Sequence, residues 1–306
     1  MTLIELARLT EDDARVYLEK IVWQDGPTCP HCHGKHVTRL QGEKHRKGVF
    51  QCNNGGCRQQ FTVTVGTVME SSKVSLVNWI MAFHLLCSSK KGFSALQLQR
   101  ELKLGSYKTA WFLMHRIRFA MDQGQMREPL TGTVEVDEAY IGGKPRPGTG
   151  FQSKRGRGTE KAQVVVLVER DGTARLKPVP RVDAVTLKGE IRQTVAQSAT
   201  IMTDEWPAYR GLDTEFTGGH FEICHSKKQY ARFDKTSGQH VNTNTAESFF
   251  ALVKRGHYGV YHSMSKTHLH RYCTEYEFRW NHRKTNDHAR MDAAIAGIRG
   301  KRLVYR

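Results

Sequence analysis

The chain has 306 residues, and its 47 lysine and arginine side chains outnumber 30 aspartate and glutamate side chains, which gives a formal net charge of +17. This charge favours nucleic acid as the partner, although a soluble basic protein or one that meets anionic lipid has the same property. No apolar run reaches the length of a membrane span, and the acidic N-terminal segment lacks the basic region and apolar run that are typical of a secretory leader. We therefore expect a cytoplasmic protein of two or three structural units without a membrane partner.

Four of the seven cysteines form two close pairs near the start of the chain. Cys29 and Cys32 are followed, after nineteen residues, by Cys52, and four further residues separate Cys52 from Cys57. Zinc prefers four such ligands in a tetrahedron, and a site with four protein ligands leaves no position for a catalytic water. We predict a structural zinc site, because disulfides are rare in the cytoplasm. The histidines nearby are expected at the surface and not among the ligands: His31, His33, His36 and His45.

Apolar residues recur at helical spacing between Leu76 and Met121, which predicts three helices. Ser106 is a good N-cap for the last of them, and the cations that follow it are typical of the second helix of a helix-turn-helix. An ordinary helical hairpin with a solvated charged face is an equally good interpretation. If the segment binds DNA, the start of its last helix faces the major groove. The residues predicted to contact DNA there are Ser106, Lys108, Thr109 and Arg116.

Residues 123–132 form the predicted boundary to a second unit, whose first strand contains acidic residues. Glu135 and Asp137 alternate with apolar residues and share one face of this strand, whereas Glu138 points to the other. A second strand-like run has Asp204 at its end and is predicted to continue into a helix. Acids at the ends of adjacent strands can hold the divalent ions that phosphodiester displacement requires.

Residues 240–256 predict one short helix that terminates at a glycine. Glu247 and Lys254 lie two turns apart on one face of it, so the carboxylate can reach a metal ion while the ammonium holds a phosphate. Asn244 lies one turn before Glu247 on the same helix. A single acid is usually a solvated surface residue, but three in this order are harder to explain in that way.

Several long motifs carry a family resemblance, and they stand in order at residues 136–144 (VDEAYIGGK), 203–209 (TDEWPAY), 244–256 (NTAESFFALVKRG), 264–272 (MSKTHLHRY) and 277–281 (EFRWN). Together with the cysteine pairs, they resemble the bacterial insertion-sequence transposases that combine an N-terminal zinc ribbon with a DDE catalytic domain. The resemblance covers nearly the whole chain.

This resemblance implies an α/β chain in which an RNase H-like catalytic domain, a mixed sheet flanked by helices, follows a zinc ribbon and a helix-turn-helix-like segment. It implies that Asp137, Asp204 and Glu247 are the catalytic triad, that they bind two Mg²⁺ or Mn²⁺ ions, and that Lys254 accompanies them. Some relatives have an asparagine as the third residue, which keeps Asn244 as a substitute for Glu247. The expected domains are 1–70 (helix and zinc ribbon), 71–122 (helical, DNA-binding), 133–285 (catalytic) and 286–306 (basic C-terminal tail).

Glycine and cations dominate residues 142–158, which predicts a loop between the first two catalytic strands. An ordinary solvated insertion is the alternative, but its cations begin only seven residues beyond Asp137 and would neutralise a DNA backbone there. These cations are Lys144, Arg146, Lys154, Arg155 and Arg157. Arg255, beside Lys254, is a further predicted DNA contact.

The sequence thus predicts a transposase that binds the ends of an insertion sequence and catalyses metal-dependent DNA strand cleavage and strand transfer. Its partner would be double-stranded DNA, from the element ends and the target, bound by a homodimer or a higher assembly. It would act in the bacterial cytoplasm, associated with the nucleoid. The alternatives are a non-catalytic DNA-binding regulator derived from a transposase, and an RNase H-like nuclease that cuts without joining.

Overall fold

The computed structural model describes residues 2–122, 124, 127–143 and 159–304. The chain forms two compact units, one made of Met1–Gln123 with Lys284–Arg306 and the other of Gly124–Arg283. The described helices are α1 (Leu3–Ala7), α2 (Glu11–Val22), α3 (Leu76–Ser88), α4 (Ala95–Glu101), α5 (Tyr107–Ala120), α6 (Ala184–Thr194), α7 (Asn244–Gly256), α8 (Leu269–Asn281) and α9 (Asp287–Ala296). None of them is long and apolar enough to cross a bilayer.

The described strands form three sheets. They are β1 (Val37–Arg39), β2 (Phe50–Cys52), β3 (Gln60–Phe61), β4 (Thr133–Ile141), β5 (Ala162–Glu169), β6 (Ala174–Val179), β7 (Thr200–Asp204), β8 (His220–Ile223), β9 (Arg232–Asp234) and β10 (Gln239–Val241). The first three strands make a small antiparallel sheet in the first unit. The others make a five-stranded sheet and a two-stranded hairpin in the second unit.

A serine begins each of the three helices predicted between Leu76 and Met121, and the structure confirms all three. Ser75, Ser94 and Ser106 each accept a hydrogen bond from the backbone N–H three residues further on, in α3, α4 and α5 respectively. Such caps satisfy one of the N–H groups that a helix leaves without an internal partner, and each stabilises by about 1 kcal/mol.

The C-terminal segment differs from the basic tail predicted for residues 286–306. It contains α9, which is capped by Asn286 and buries Met291, Ala294 and Ile295. These residues recur at helical spacing, and α9 packs against α3 within the first unit. The prediction relied on the high charge of this segment and missed its short apolar face, which packs against neighbouring elements.

The five-stranded sheet has the order β6-β5-β4-β7-β8. β4 is antiparallel to β5 and parallel to β7, so the sheet is mixed, as predicted for an RNase H-like domain of class α/β. Alternate residues of β5 face opposite sides: Val164 and Val166 pack with α7 and α8, whereas Val165 and Leu167 pack with α6. Helices therefore cover both faces of this sheet, which brings the central strand β4 between two apolar layers.

Two predicted helix boundaries in this unit differ from the structure. A short 3-10 turn, Pro207–Tyr209, follows β7 where a helix was predicted, and the chain turns soon after it at Gly211, which has a positive φ of 85°. At the end of α7, Gly256 keeps a helical φ of −70°, and the chain continues into a π-helical turn, His257–Tyr261. Gly256 is thus not the predicted terminator.

Candidate functional site

The four cysteines predicted to bind zinc form one cluster, in which the four sulfur atoms lie within 4.8 Å of one another. The Sγ atoms of Cys29 and Cys57 are 3.7 Å apart, and those of Cys32 and Cys52 are 3.6 Å apart. A tetrahedral zinc ion with bonds of about 2.3 Å to sulfur places its ligands about 3.8 Å apart. The cluster therefore fits a structural zinc ion, and none of the nearby histidines belongs to it.

Two matching turns bring the cysteine pairs together. The residue after the second cysteine of each pair has a left-handed backbone, with φ of 59° at His33 and 51° at Arg58. The pKa of Cys32 is lowered to about 7, chiefly because its sulfur accepts a hydrogen bond from the backbone of Gly34. The thiolate form that binds a metal is thereby favoured at this position before any ion is bound.

Beside the cysteine cluster, a small aromatic group supplies the apolar core of this sheet. Trp23 packs edge-on against Phe50, with ring centroids 5.1 Å apart, and against Phe61 at 6.0 Å. Phe50 and Phe61 are directly paired across β2 and β3. Three rings cannot bury enough surface to fold the module alone, so the metal ligands must contribute.

The start of α5 exposes three of the residues predicted to contact DNA, namely Ser106, Lys108 and Thr109. Arg116, the fourth, differs from its prediction. It is only 8% exposed, and its guanidinium donates to the carbonyl oxygen of Glu70 at 2.7 Å. Helical spacing turns it inward, where it also lies over the rings of Trp79 and Phe112. Arg116 therefore holds the first unit together and does not present its charge to a DNA groove.

The pairing of β4 with β7 places Asp137 and Asp204 on adjacent strands of the sheet. β4 and β7 are parallel, with Thr133 opposite Thr200 and Glu135 opposite Met202. Asp204 is the last residue of β7, and Asp137 lies two residues beyond Glu135, in the middle of β4. Near them, the backbone N–H of Trp206 donates to Asp204 at 3.0 Å, and the Tyr209 hydroxyl donates to Glu138 at 2.7 Å.

Electrostatics connects Asp137 with the other predicted site residues. The pKa of Asp137 is raised to about 7, mainly by burial and further by the charges of Asp204 and Glu247. The backbone N–H of Glu138 and the ammonium of Lys254 act in the opposite direction but do not cancel the increase. Asp137 therefore lies within reach of the fields of Asp204 and Glu247, and the neighbouring donors and cations do not fully compensate the negative charge around it.

Helix α7, which contains Glu247 and Lys254, is held at its start by a residue of β4. Its own N-cap, Thr243, makes no capping hydrogen bond. Instead, the fully buried carboxylate of Glu135 accepts from the backbone N–H groups of Thr245 (2.7 Å) and Ala246 (3.0 Å). Glu135 is two residues from Asp137 on the same strand, so this contact sets the start of α7 relative to the first acid.

Arg170 also contributes to the contact between β4 and the start of α7. Its guanidinium forms an ion pair with Glu135 at 2.7 Å and donates to the carbonyl oxygens of His240 at 2.7 Å and Asn242 at 3.1 Å. These carbonyls belong to the segment that leads into α7. Glu135 and Arg170 thus fasten together the elements that hold Asp137 and Glu247.

Glu247 and its neighbours on α7 are open to solvent. The Glu247 side chain is 50% exposed, and its carboxylate lies 3.5 Å from Nε2 of His225. Asn244, Lys254 and Arg255 are exposed as well. The charge of Glu247 contributes to raising the pKa of Asp137.

The donor set formed by Asp137, Asp204 and Glu247 suits hard divalent cations, which prefer carboxylate oxygens. Among the residues that the structure describes, these three acids are not gathered as tightly as the four cysteines. A pair of ions would not require that all three carboxylates meet at one point. The raised pKa of Asp137 shows that added positive charge would stabilise the ionised site.

Some predicted contacts lie outside the described residues, and others were missed. Those outside are the loop cations Lys144, Arg146, Lys154, Arg155 and Arg157. The role of Glu135 in holding the start of α7 was missed. The available signal was its position two residues before Asp137, on the same face of the strand. Arg170 and His225 reach the site only through long-range folding, so no local pattern indicates them.

Comparison with known proteins identifies both parts of the chain. Residues 129–281 match the ISXO2-like transposase domain, and residues 9–60 match the transposase zinc-ribbon domain. A relative from Halobacterium salinarum, described as an uncharacterized protein in transposable element ISH50, is 31% identical over 292 residues, covering 89% of this chain and 91% of that protein. No solved structure matches the chain.

Proposed function

Because the chain belongs to the ISXO2-like transposase family, we propose that it binds the ends of an insertion sequence and catalyses metal-dependent DNA strand cleavage and strand transfer. The observation that supports this most directly is that Asp204 of β7 and Glu247 of α7 both contribute to raising the pKa of Asp137 on β4. A buried carboxylate whose pKa is raised by two neighbouring acids is costly to ionise unless cations bind there, and such perturbed groups are typical of functional sites.

In this proposal, the three carboxylates hold two Mg²⁺ or Mn²⁺ ions. Such ions polarise the attacking oxygen and stabilise the leaving oxygen of a phosphodiester displacement. Asp137 must be ionised to act as a ligand, so the neighbouring Lys254 helps by favouring its charged form. Asn244 stays the substitute for the third position if Glu247 does not serve.

The exposed cations on α7 would position the DNA backbone. Lys254 and Arg255 are both exposed at the end of this helix, where ammonium and guanidinium groups contact phosphate oxygens. Ser106, Lys108 and Thr109 at the start of α5 are the proposed contacts to the element end, and the cations of residues 144–158 are proposed contacts near the acids. Water would attack the phosphodiester at the element end and break it into a 3′ hydroxyl and a 5′ phosphate. The 3′ hydroxyl would then attack a target phosphodiester, which forms a new phosphodiester and releases a 3′ hydroxyl of the target strand.

The test is strand cleavage and joining by the full chain, with labelled DNA from the flanks of its gene and a supercoiled plasmid as target. Wild type is compared with Asp204→Ala and Glu247→Ala, and Asp213→Ala is the matched control because it removes an exposed acid of the same unit. We expect cleavage and joining by wild type and control, and loss of both steps in the other two variants with DNA binding retained.

Other outcomes would contradict parts of the proposal. Specific DNA binding without any chemistry in the wild type would instead indicate a regulator, and cleavage without joining would indicate a nuclease. Sizing the DNA complex checks the proposed homodimer or higher assembly, because two ends must be brought together. A strictly monomeric active complex would contradict that assembly.

A further inference from the structure

Residues 224–241, which include β9 and β10, form an excursion between β8 and α7, here named the basic hairpin. Its four permanent cations are Lys227, Lys228, Arg232 and Lys235. Its one acidic residue, Asp234, is neutralised by an ion pair with Arg232 at 2.7 Å. The three lysines are exposed, so the hairpin presents net positive charge to solvent.

Two aromatic side chains of the basic hairpin are exposed as well. Tyr230 is 62% exposed and Phe233 is 54% exposed. Each lies beside a histidine ring: Tyr230 is 5.7 Å from His225, and Phe233 is 5.0 Å from His240, between centroids. Large aromatic side chains normally contribute their area to a core or an interface. Exposed rings among exposed lysines match the composition of surfaces that stack on nucleobases and neutralise phosphates.

Both ends of the basic hairpin are fastened to elements of the acidic site. At its start, the carboxylate of Glu205, next to Asp204, accepts from the backbone N–H groups of His225 (2.7 Å) and Ser226 (3.0 Å). At its end, Arg170 donates to the carbonyl oxygen of His240 at 2.7 Å. His225 also reaches Glu247, with 3.5 Å between Nε2 and the carboxylate. A strand of DNA at the acids would therefore lie beside this hairpin.

We propose that the basic hairpin binds an unpaired DNA strand at the acidic site, with Tyr230 and Phe233 stacking on bases and its lysines contacting phosphates. This inference rests on the proposed function and names the form of DNA that the site receives. Stacking requires an open base face, which a paired duplex hides, so the rings favour single-stranded or frayed ends. The exposed lysines of the hairpin favour a polyanion as its occupant over a second copy of this chain.

The first test measures binding of the full chain to a fluorescein-labelled single-stranded oligonucleotide and to the duplex of the same sequence, without divalent metal. Tyr230→Ala and Phe233→Ala should each weaken single-strand binding by roughly five- to a hundredfold, as expected for loss of one stacked base, and weaken duplex binding less. Tyr230→Phe and Phe233→Tyr should restore it. Val185→Ala is the control, since Val185 is apolar, 83% exposed and on α6, across the sheet.

The second test uses charge. Lys227→Ala and Lys228→Ala should each reduce the slope of log affinity against log salt by about 0.7 for the single strand, the value for one lost phosphate contact. Arg181→Ala, which removes an exposed cation elsewhere in the same unit, should leave the slope unchanged.

Three results would count against these proposals. Single-strand binding by the aromatic variants equal to that of wild type would overturn the proposal. So would unchanged DNA binding with an altered oligomeric state, which would make the hairpin a contact between copies. A wild-type chain that binds neither oligonucleotide would contradict the proposed function itself, whereas failure confined to the hairpin variants leaves that function standing.

Discussion

At the scale of single residues, Glu135 determines where the helix of the third acid begins. It lies on β4, is fully buried, and accepts from two backbone N–H groups of α7 as well as from Arg170. A buried carboxylate is tolerated only when its charge and its lone pairs are satisfied, and here both conditions are met. The same residue thereby couples the position of Asp137 to that of Glu247.

Breaking this contact should destabilise the chain. We expect Glu135→Gln to lower the free energy of unfolding by about 1–3 kcal/mol, because the amide leaves Arg170 without its counter-charge and the α7 N–H groups with a poorer acceptor. Arg170→Met should act similarly, and the double variant should lose less than the sum, since the two share one interaction. Urea denaturation measures all three.

Glu190→Gln is the control for that experiment. Glu190 pairs with Lys177 at 2.6 Å, but both side chains are partly exposed, at 24% and 39%. Such pairs contribute little, so its loss should change the unfolding free energy by less than about 1 kcal/mol. An effect of Glu135→Gln no larger than that of Glu190→Gln would show that the buried contact is not important.

His220 on β8 gives the sheet a pH dependence. Burial lowers its pKa from 6.5 to about 4, while Asp213 raises it and Lys188 lowers it further. The ring is neutral in the fold, and its Nε2 lies 2.9 Å from the Thr203 hydroxyl oxygen. Between pH 6.5 and about 4 the unfolded chain binds a proton that the folded chain does not, so this part of the stability is present above pH 6.5 and is lost as the pH falls.

The variant His220→Gln tests this sign. The unfolding free energy of wild type should fall more between pH 6.5 and pH 4 than that of the variant, because the glutamine does not titrate. Denaturant titrations at the two pH values provide the comparison. Equal losses in both proteins would mean that other groups cause the acid sensitivity.

At the scale of elements, the zinc ribbon depends on its metal. We expect removal of zinc by a chelator, or the change Cys52→Ser, to unfold β1–β3, because the aromatic core there is too small to stand alone. Tryptophan fluorescence should report this through Trp23, which packs on Phe50 and Phe61. Cys224→Ser is the control, since Cys224 is outside the cluster. A chelated chain with unchanged fluorescence and no bound metal would refute the dependence.

Helix α5 allows a prediction that separates DNA binding from folding. Lys108→Ala, at its exposed start, should weaken binding to DNA from the element end and leave the unfolding free energy nearly unchanged. Arg116→Met should do the reverse, because the Arg116 guanidinium bonds to the carbonyl oxygen of Glu70 inside the unit. Titration of labelled DNA and urea denaturation measure the two effects. If Arg116→Met reduced DNA binding without loss of stability, its assignment to the interior would be wrong.

The elements differ in how far their sequences predict them. Cysteine spacing and serine caps act within a few residues, so the ligand cluster and helices α3, α4 and α5 follow from local patterns. The inward turn of Arg116 and the packing of α9 depend on distant partners, Glu70 and α3, that no local pattern identifies. The acids occupy an intermediate position, because alternation places Asp137 on its strand, but only sheet pairing brings β7, which ends at Asp204, beside that strand.

At the scale of the whole molecule, a strongly basic chain contains a small acidic site. The net charge of +17 attracts DNA, whereas Asp137, Asp204 and Glu247 would repel the very phosphate that must approach them. Under the proposed function, divalent cations at the acids would resolve this conflict, and the metal would then take part in substrate binding as well as in the chemistry. The central claim is therefore that these carboxylates are metal ligands of a DNA-processing site.

A change of metal preference tests that claim most directly, since simple loss of activity can arise from misfolding. In Asp204→Cys, a thiolate replaces a carboxylate, and thiolates accept Mn²⁺ more readily than Mg²⁺. We predict that this variant fails to cleave flanking DNA with Mg²⁺ and regains cleavage with Mn²⁺, while Asp213→Cys behaves as wild type with both ions. Cleavage by Asp204→Cys with Mg²⁺ at the wild-type rate would contradict the account, because the carboxylate would then not be required.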